Sequence, residues 1–188
     1  GLGDVYKRQA VAGAAAKGNA AVAGSFAVNV FNNNNSASIG ENVKATTVGV
    51  DGVDVSSLSD TQAIAFTGAV AGAKQAGVGI SNTNLVSLDK TTASIGSGSD
   101  VRADGVGADV NVSAEARQDL ANIGVSAGAA TSGTGVGGVL GVMFSLGTTE
   151  AEVADNAAVK AKGDVSVTAK TDITGVIVAG GVGLSLIH

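Results

Sequence analysis

Nearly the same phrase occurs three times along this chain of 188 residues. The copies begin with Ala-Ser-Ile-Gly, Ala-Ser-Ile-Gly and Ala-Glu-Val-Ala, and they start at Ala37, Ala93 and Ala151. Each copy continues to a valine followed by Lys or Arg and then Ala, at Val43, Val101 and Val159. A second phrase, Asp-Val, follows at Asp54, Asp109 and Asp164. A period of this size indicates a repeat architecture rather than one globular core, because each unit buries its apolar face by stacking on its neighbours.

The composition favours thin, regular layers. The chain has 29 glycines, no proline, no cysteine, no tryptophan and 3% aromatic residues. Large aromatic side chains normally supply much of a globular core. Valine and threonine favour strands. The lack of cysteine excludes a disulfide framework and a thiolate metal site, and the net charge of -5 argues against a nucleic-acid partner, which needs clustered Lys and Arg.

Period-two alternation predicts half-buried strands in each unit. Ala37, Ile39 and Ala45 lie on one face of such a strand and Ser38 and Lys44 on the other. We expect six residues at equivalent positions to face inward: Ile39, Ile95, Val153, Val43, Val101 and Val159. Glycine and Asn/Asp between these runs predict turns.

The fold class that follows is all-β, a parallel β-helix (β-solenoid) built from about three repeats of 55 to 58 residues. With a coil of about 20 residues, each unit would hold two or three coils, and about eight coils would form a rod roughly 40 Å long. In the first unit, a single residue is expected to be inserted at Ser57-Leu58.

The two ends do not match the repeats. Residues 1–9 hold the single tyrosine, and residues 185–188 interrupt the start of a fourth unit. Both resemble translated sequencing-adapter ends. We therefore expect a solenoid segment over residues 10–184, taken from a longer chain, with a non-native tail at each end.

The stretch from Ala121 to Thr149 carries no charge before Glu150. Its length would admit a membrane-spanning helix, and two Gly-xxx-Gly spacings match a helix-packing pattern. Its serines, threonines and glycines lower its hydrophobicity, and glycine disfavours helix by about 1 kcal/mol relative to alanine. We therefore predict strands here, and no membrane insertion by this segment.

The combined pattern resembles the repeat region of large secreted bacterial filamentous adhesins, of the leukotoxin type, and related autotransporter-like passengers. The resemblance lies in residues 21–30, 37–40, 43–45 and 163–169, and its pattern covers residues 10–184. It implies a right-handed parallel β-helix exported to the bacterial surface or secreted. The resemblance implies no catalytic residues in this chain.

Four motifs have a functional and a structural interpretation. Gly133–Gly138 fits the dinucleotide pattern GxGxxG but lacks a following helical pattern. Asp54, Asp109 and Asp164 could bind calcium, yet a solvated turn position is favoured. Lys44, Arg102 and Lys160 could form a polyanion-binding stripe, or charges that keep the solenoid from aggregating. Asn32–Asn35 could be a ligand loop or an asparagine ladder, and we favour a turn.

No residue is predicted to be catalytic, to bind a cofactor or to hold a metal. Nucleophilic catalysis needs a base, and the single histidine is His188, in the suspected tail. The prediction is a non-enzymatic structural and adhesive stalk segment, secreted or on the bacterial cell surface, that contacts a host-surface or matrix ligand multivalently. The alternatives are a carbohydrate-active, lyase-like β-helix and the head of a trimeric autotransporter adhesin.

Overall fold

The computed structural model describes residues 4–186, with side chains from Gln9 onward. These residues form ten strands and no helix. The strands are β1 (Asp4–Ala15), β2 (Ala20–Ile39), β3 (Lys44–Thr47), β4 (Val53–Ala73), β5 (Ala76–Ile95), β6 (Asp100–Ala103), β7 (Val110–Ala130), β8 (Thr134–Val153), β9 (Ala158–Ala161) and β10 (Val165–Ser185). No helix among these residues could cross a membrane.

The strands form three parallel sheets, as a β-solenoid requires. Sheet A has the order β1-β4-β7-β10, sheet B β2-β5-β8 and sheet C β3-β6-β9. Each strand therefore pairs with the strand three places later in the chain. Val53 pairs with Val110, 57 residues later, and Val110 pairs with Val165, 55 residues later. The predicted fold class and repeat length are confirmed.

The predicted coil length is wrong, because one repeat makes one coil rather than two or three. Sheets A and B contain strands of 20 or 21 residues, and only the loops between sheets break the chain. A strand of 21 residues spans about 70 Å, whereas each coil adds about 4.8 Å along the stack. The segment is therefore broad across its strands and shallow along its stacking direction, unlike the expected rod.

Sheet C closes one end of the coil, called here the wide end. The core at this end is built from valine, isoleucine and alanine of all three sheets. Ile95 and Val101 are fully buried, and Ile39 and Val159 pack against them, as predicted. Val153 is 36% exposed because β8 is the last described strand of sheet B.

Val43 does not take the position predicted for it. Ala45, not Val43, pairs with Val101, and Val43 is 37% exposed. The turn before sheet C sets this register. In each coil, this turn contains one residue with positive φ: Asn42, Gly98 or Asn156. Asn tolerates this left-handed conformation and glycine adopts it freely. Val43 therefore lies level with Ser99, whose Oγ accepts a hydrogen bond from Val43 N at 3.1 Å.

The middle of the coil contains a small apolar cluster and a polar layer beside it. Leu85 and Leu120 form the cluster with Phe31, Ala63 and Ala65. Between this cluster and the wide end, the inward side chains are mostly polar. They include Thr61, Asp89 and Gln118, each at most 4% exposed.

At the opposite, narrow end, sheets A and B approach until their backbones nearly touch. A Cβ added at Gly77 would collide with the backbone of Ala129, and one at Gly128 with the backbones of Val136 and Gly77. Alanine fills the remaining inward positions, as at Ala69 and Ala71. The cross-section is therefore a wedge, and its taper follows the size of the inward residues.

Differences in repeat length fall in the loops at both ends of the coil, and the narrow-end loops cover residues 16–19, 74–75 and 131–133. The loops after sheet C cover residues 48–52, 104–109 and 162–164. The predicted insertion at Ser57-Leu58 is wrong, because Ser57 pairs with Ala114 and Leu58 with Glu115 in an unbroken ladder. Loops can absorb length changes that a ladder cannot, since a one-residue slip would turn every inward side chain outward.

The suspected tails lie partly in the described residues. The backbone of residues 4–9 belongs to β1 and pairs with residues 61–66, and Ser185 ends β10. Residues 1–3 and 187–188 lie outside the described residues. The foreign origin of both ends stays a prediction.

Candidate interaction surfaces

The outer faces of sheets A and B are divided between apolar and charged halves. Near the narrow end the outward residues are mostly Val, Ile, Leu and Phe. Near the wide end they include Asp60, Glu115, Arg117 and Lys170. The narrow half therefore carries small residues inside and large apolar residues outside, the reverse of a usual half-buried sheet.

Sheet B has the larger apolar surface. We define its apolar window as the outward positions of residues 22–30 on β2, 78–88 on β5 and 136–146 on β8. Phe26 and Val22 are each 68% exposed, and Leu146 is 65% exposed. Two polar side chains lie near the centre of the window, where Asn84 Nδ2 donates a hydrogen bond to Asn82 Oδ1 at 2.5 Å.

Sheet A carries a shallow apolar groove on its outer face. Its volume is about 450 Å³, and its walls include Val11, Phe66, Val70, Val125 and Val182. The groove follows outward glycines, because Gly68 and Gly180 both lie in register with Val125. It offers hydrophobic contact without a charged or catalytic group in its wall.

Three ion pairs link charged side chains of sheets A and C in the part of the chain that the structure describes. Arg117 Nη2 lies 2.6 Å from Glu115 Oε1, and Lys170 Nζ lies 3.6 Å from the same oxygen. Arg117, and secondarily Lys170, hold the pKa of Glu115 below its usual range. On sheet C, Arg102 contacts both carboxylate oxygens of Asp100, at 2.8 and 2.7 Å, and lowers the pKa of Asp100.

The three aspartates singled out in the sequence do not form one column. Asp109 Oδ1 accepts a hydrogen bond from Asp164 N at 2.7 Å, so these two turns stack. Asp54 pairs instead with Asn111 in the strand ladder, and Gly52 occupies the place next to Asp109. The turn prediction fits Asp109 and Asp164 but is wrong for Asp54, which lies within β4.

The three basic residues singled out in the sequence, Lys44, Arg102 and Lys160, do not occupy equivalent register positions. Arg102 pairs with Lys160, but Lys44 pairs with Asp100. The carboxylate of Asp100 therefore lies among the three cations, and Lys160 and Lys44 add to the lowering of its pKa by Arg102. The outer face of sheet C is a mixed-charge surface rather than a continuous basic stripe.

The asparagine run is not a turn, because Asn32–Asn35 lie within β2. Asn33 points inward, where its Nδ2 donates to Thr61 Oγ1 at 2.8 Å. The prediction of a turn failed because asparagine side chains can find hydrogen-bond partners inside the polar layer. Gly133 is in the turn before β8, and a strand rather than a helix follows it, so the dinucleotide-binding context is missing.

The titratable side chains of residues 9–186 are spread over all three sheets. No group of three or more His, Asp or Glu side chains that could hold a metal occurs among the described residues. His188 lies outside them. The buried carboxyl of Asp89 lies in the polar layer, where burial raises its pKa and the polar groups of Asn33, Ser87 and Thr61 offset this in part.

The outward apolar residues are the functional candidates that the sequence analysis missed. It assigned no face to Val22, Phe26, Val28 and Val30, which point outward. The signal was present in the sequence: alanine occupies Ala21, Ala23 and Ala27 on the opposite parity. Small residues on one parity and large ones on the other predict a thin core.

Comparison with known proteins gives no relative. No family model, no curated protein and no solved structure matches this chain.

Proposed function

We propose that this chain is a structural and adhesive segment of a secreted or surface-exposed bacterial protein of the filamentous-adhesin type. The observation that carries the proposal is the unbroken parallel ladder, in which each repeat forms one complete coil. Such a solenoid lengthens by addition of units without a new core. The resemblance of its repeats to adhesin repeats supplies the biological setting.

In the proposed mechanism, adhesion depends on the broad outer faces of the solenoid more than on the length of the stack. A coil of about 57 residues adds only about 4.8 Å to the stack, so this segment is an inefficient spacer. It does present two wide faces on which the same pattern recurs at every coil. Weak contacts that repeat on one rigid surface add up to useful avidity.

Binding to immobilised host-cell surface and matrix preparations tests the proposal. We expect weak binding by the chain itself and much tighter binding by a tandem variant with additional in-register coils. Equal binding by both forms would contradict the multivalent mechanism.

A panel of polysaccharides tests the enzymatic alternative in the same preparation. We expect no turnover by the wild-type chain. Turnover that is lost when Asp54, Asp109 and Asp164 are all replaced by Asn would replace the adhesive proposal with a carbohydrate-active one.

A further inference from the structure

We propose that two copies of this chain pair face to face through the apolar window of sheet B, about a two-fold axis parallel to the stacking direction of the coils. The inference does not depend on the adhesive function. It rests on the size of the window, on the register of its strands and on the distribution of its large and small residues.

The window is larger than an isolated apolar patch. Its most exposed members include Phe26 (68%), Leu146 (65%), Phe144 (59%) and Leu140 (58%). Nine of its apolar members are between 47% and 68% exposed, so the window exceeds the few hundred Å² of a typical surface patch and approaches the area that one partner contributes to a stable interface.

The register defines where a two-fold axis must pass. Ala27 pairs with Thr83, and Thr83 pairs with Gly141. This register line passes through the centre of the window on β5 and β8. On β2 it passes one residue from the centre of the window. A two-fold axis along this line places apolar on apolar surface and keeps each coil level with the same coil of the second copy.

Under this operation, the two outward glycines of the window each lie opposite a bulky residue. Phe144 lies opposite Gly138 of the second copy, and Val30 lies opposite Gly24. Neither glycine has an atom closer than 3.9 Å to an added Cβ, so both mark open hollows on the face. Hollows that receive bulky residues give a self-complementary surface, which a two-fold interface requires.

The polar residues fit the same arrangement. Asn82 lies opposite Asn84 of the second copy, so the two amide pairs meet at the centre and can exchange hydrogen bonds. A central polar pair of this kind fixes register in an apolar interface. Lys90 and Glu150 lie outside the window, where the rim of an interface is usually polar.

A lipid bilayer fits the apolar window less well than a second copy of the chain does. Lipid would leave the central amides of Asn82 and Asn84 without new partners, and the outer strands of sheet B would expose backbone groups in hydrocarbon. A second copy satisfies the amides, and its contact area grows with every coil added.

The proposal is tested by swapping the residues at positions 138 and 144, which the two-fold axis places in contact. Gly138→Phe should clash with Phe144 of the second copy, and Phe144→Gly should remove an aromatic anchor, so each should weaken dimerisation by about tenfold or more. The double variant restores one bulky and one small residue at each contact. We expect its dimer dissociation constant to return to within about threefold of wild type.

Sedimentation velocity over a concentration series measures the monomer–dimer equilibrium, and circular dichroism checks that each variant retains its strands. Phe66→Gly, on the outer face of sheet A, is the matched control and should leave dimerisation unchanged. A monomeric wild-type chain, equal loss in the single and double variants, or flotation with phosphatidylcholine vesicles in place of dimerisation would overturn the proposal.

Discussion

Asp89 shows how an interior of small residues tolerates a carboxyl group. The side chain is 4% exposed and lies level with Asn33 on β2 and Gly147 on β8. Gly147 has no side chain, so the layer has room for the longer side chains of Asp89 and Gln118. Burial penalises the charged form of the group and so raises the pKa of Asp89.

This pKa shift predicts how stability depends on pH. Because the folded-state pKa of Asp89 is raised, the folded state holds its proton more tightly than the unfolded state. The contribution of protonated Asp89 to the stability of the fold is therefore complete below the unfolded-state pKa of 3.8. It is lost as pH rises through the folded-state pKa of Asp89. We expect Asp89→Asn to stabilise the chain at pH above that window and to have less effect below it.

Urea unfolding of Asp89→Asn and wild type across a pH series measures the difference. Subtracting the two curves removes the opposite pH dependence contributed by Asp100 and Glu115, which both proteins share. Asp119→Asn on the outer face is the control, and a difference that does not change with pH would refute the prediction.

Neighbouring residues of one strand give a direct test of which face is buried. Ile95 is fully buried at the wide end, whereas Ser94 points outward. Ile95→Asp would bury a carboxylate among apolar groups and should cost about 3–5 kcal/mol of unfolding free energy. Ser94→Asp should change it by less than about 0.5 kcal/mol, and similar denaturation midpoints for the two variants would show that the strand register is wrong.

At the scale of the strands, the sequence predicted the parallel ladder but not the length of each strand. Alternation around Ile95 and Val101 correctly identified the wide end, where large residues face inward. It gave no assignment around Phe26, where the inward residues are small, mostly alanine, glycine and serine, and the outward ones are large. Asn32–Asn35 and the glycines were interpreted as breaks, yet Asn33 finds a hydrogen-bond partner inside the coil and inward glycines let the two sheets approach closely.

The position of the apolar window depends on two quantities. One is the parity that faces inward, which the alanines of β2 indicate in the sequence. The other is the register between coils, which the turn residues Asn42, Gly98 and Asn156 decide. Val43 was misplaced by two residues for the second reason.

Close contact between sheets A and B predicts that replacement of an inward glycine at the narrow end destabilises the fold. Gly128→Ala would drive a methyl group into the backbones of Val136 and Gly77. We expect a loss of about 1–3 kcal/mol, as for other overpacked interiors. Gly72 is the second-last residue of the paired strand β4 and has open space around an added Cβ.

Gly72→Ala is therefore the matched control for Gly128→Ala. It should leave stability unchanged or raise it slightly, because alanine loses less backbone entropy than glycine on folding. Thermal unfolding followed by circular dichroism measures both variants, and equal melting temperatures would argue against tight packing at the narrow end.

At the scale of the whole molecule, one repeat is one coil, so a coil should be removable as a unit. Deletion of residues 65–121 joins Ile64 to Asn122, and Asn122 is the register partner of Ala65. The shortened chain keeps the parity of every strand, lets β2 pair with β8 and β3 with β9, and should fold into the same coil with one layer fewer. We expect an unchanged strand spectrum, a stack thinner by about 5 Å in small-angle scattering, and lower stability, because one coil–coil interface is lost.

Deletion of residues 66–121 is the decisive comparison, because it differs by a single residue. It joins Ala65 to Asn122, two inward positions, and shifts the register beyond the junction by one. Such a slip exchanges inward and outward faces along the rest of the strand, unless a bulge forms at the cost of ladder hydrogen bonds. The out-of-register variant should therefore unfold at much lower urea concentration or aggregate, while the in-register variant unfolds cooperatively. If both deletions were equally tolerated, or if both abolished folding, the stacking of one repeat per coil would not be what specifies this fold.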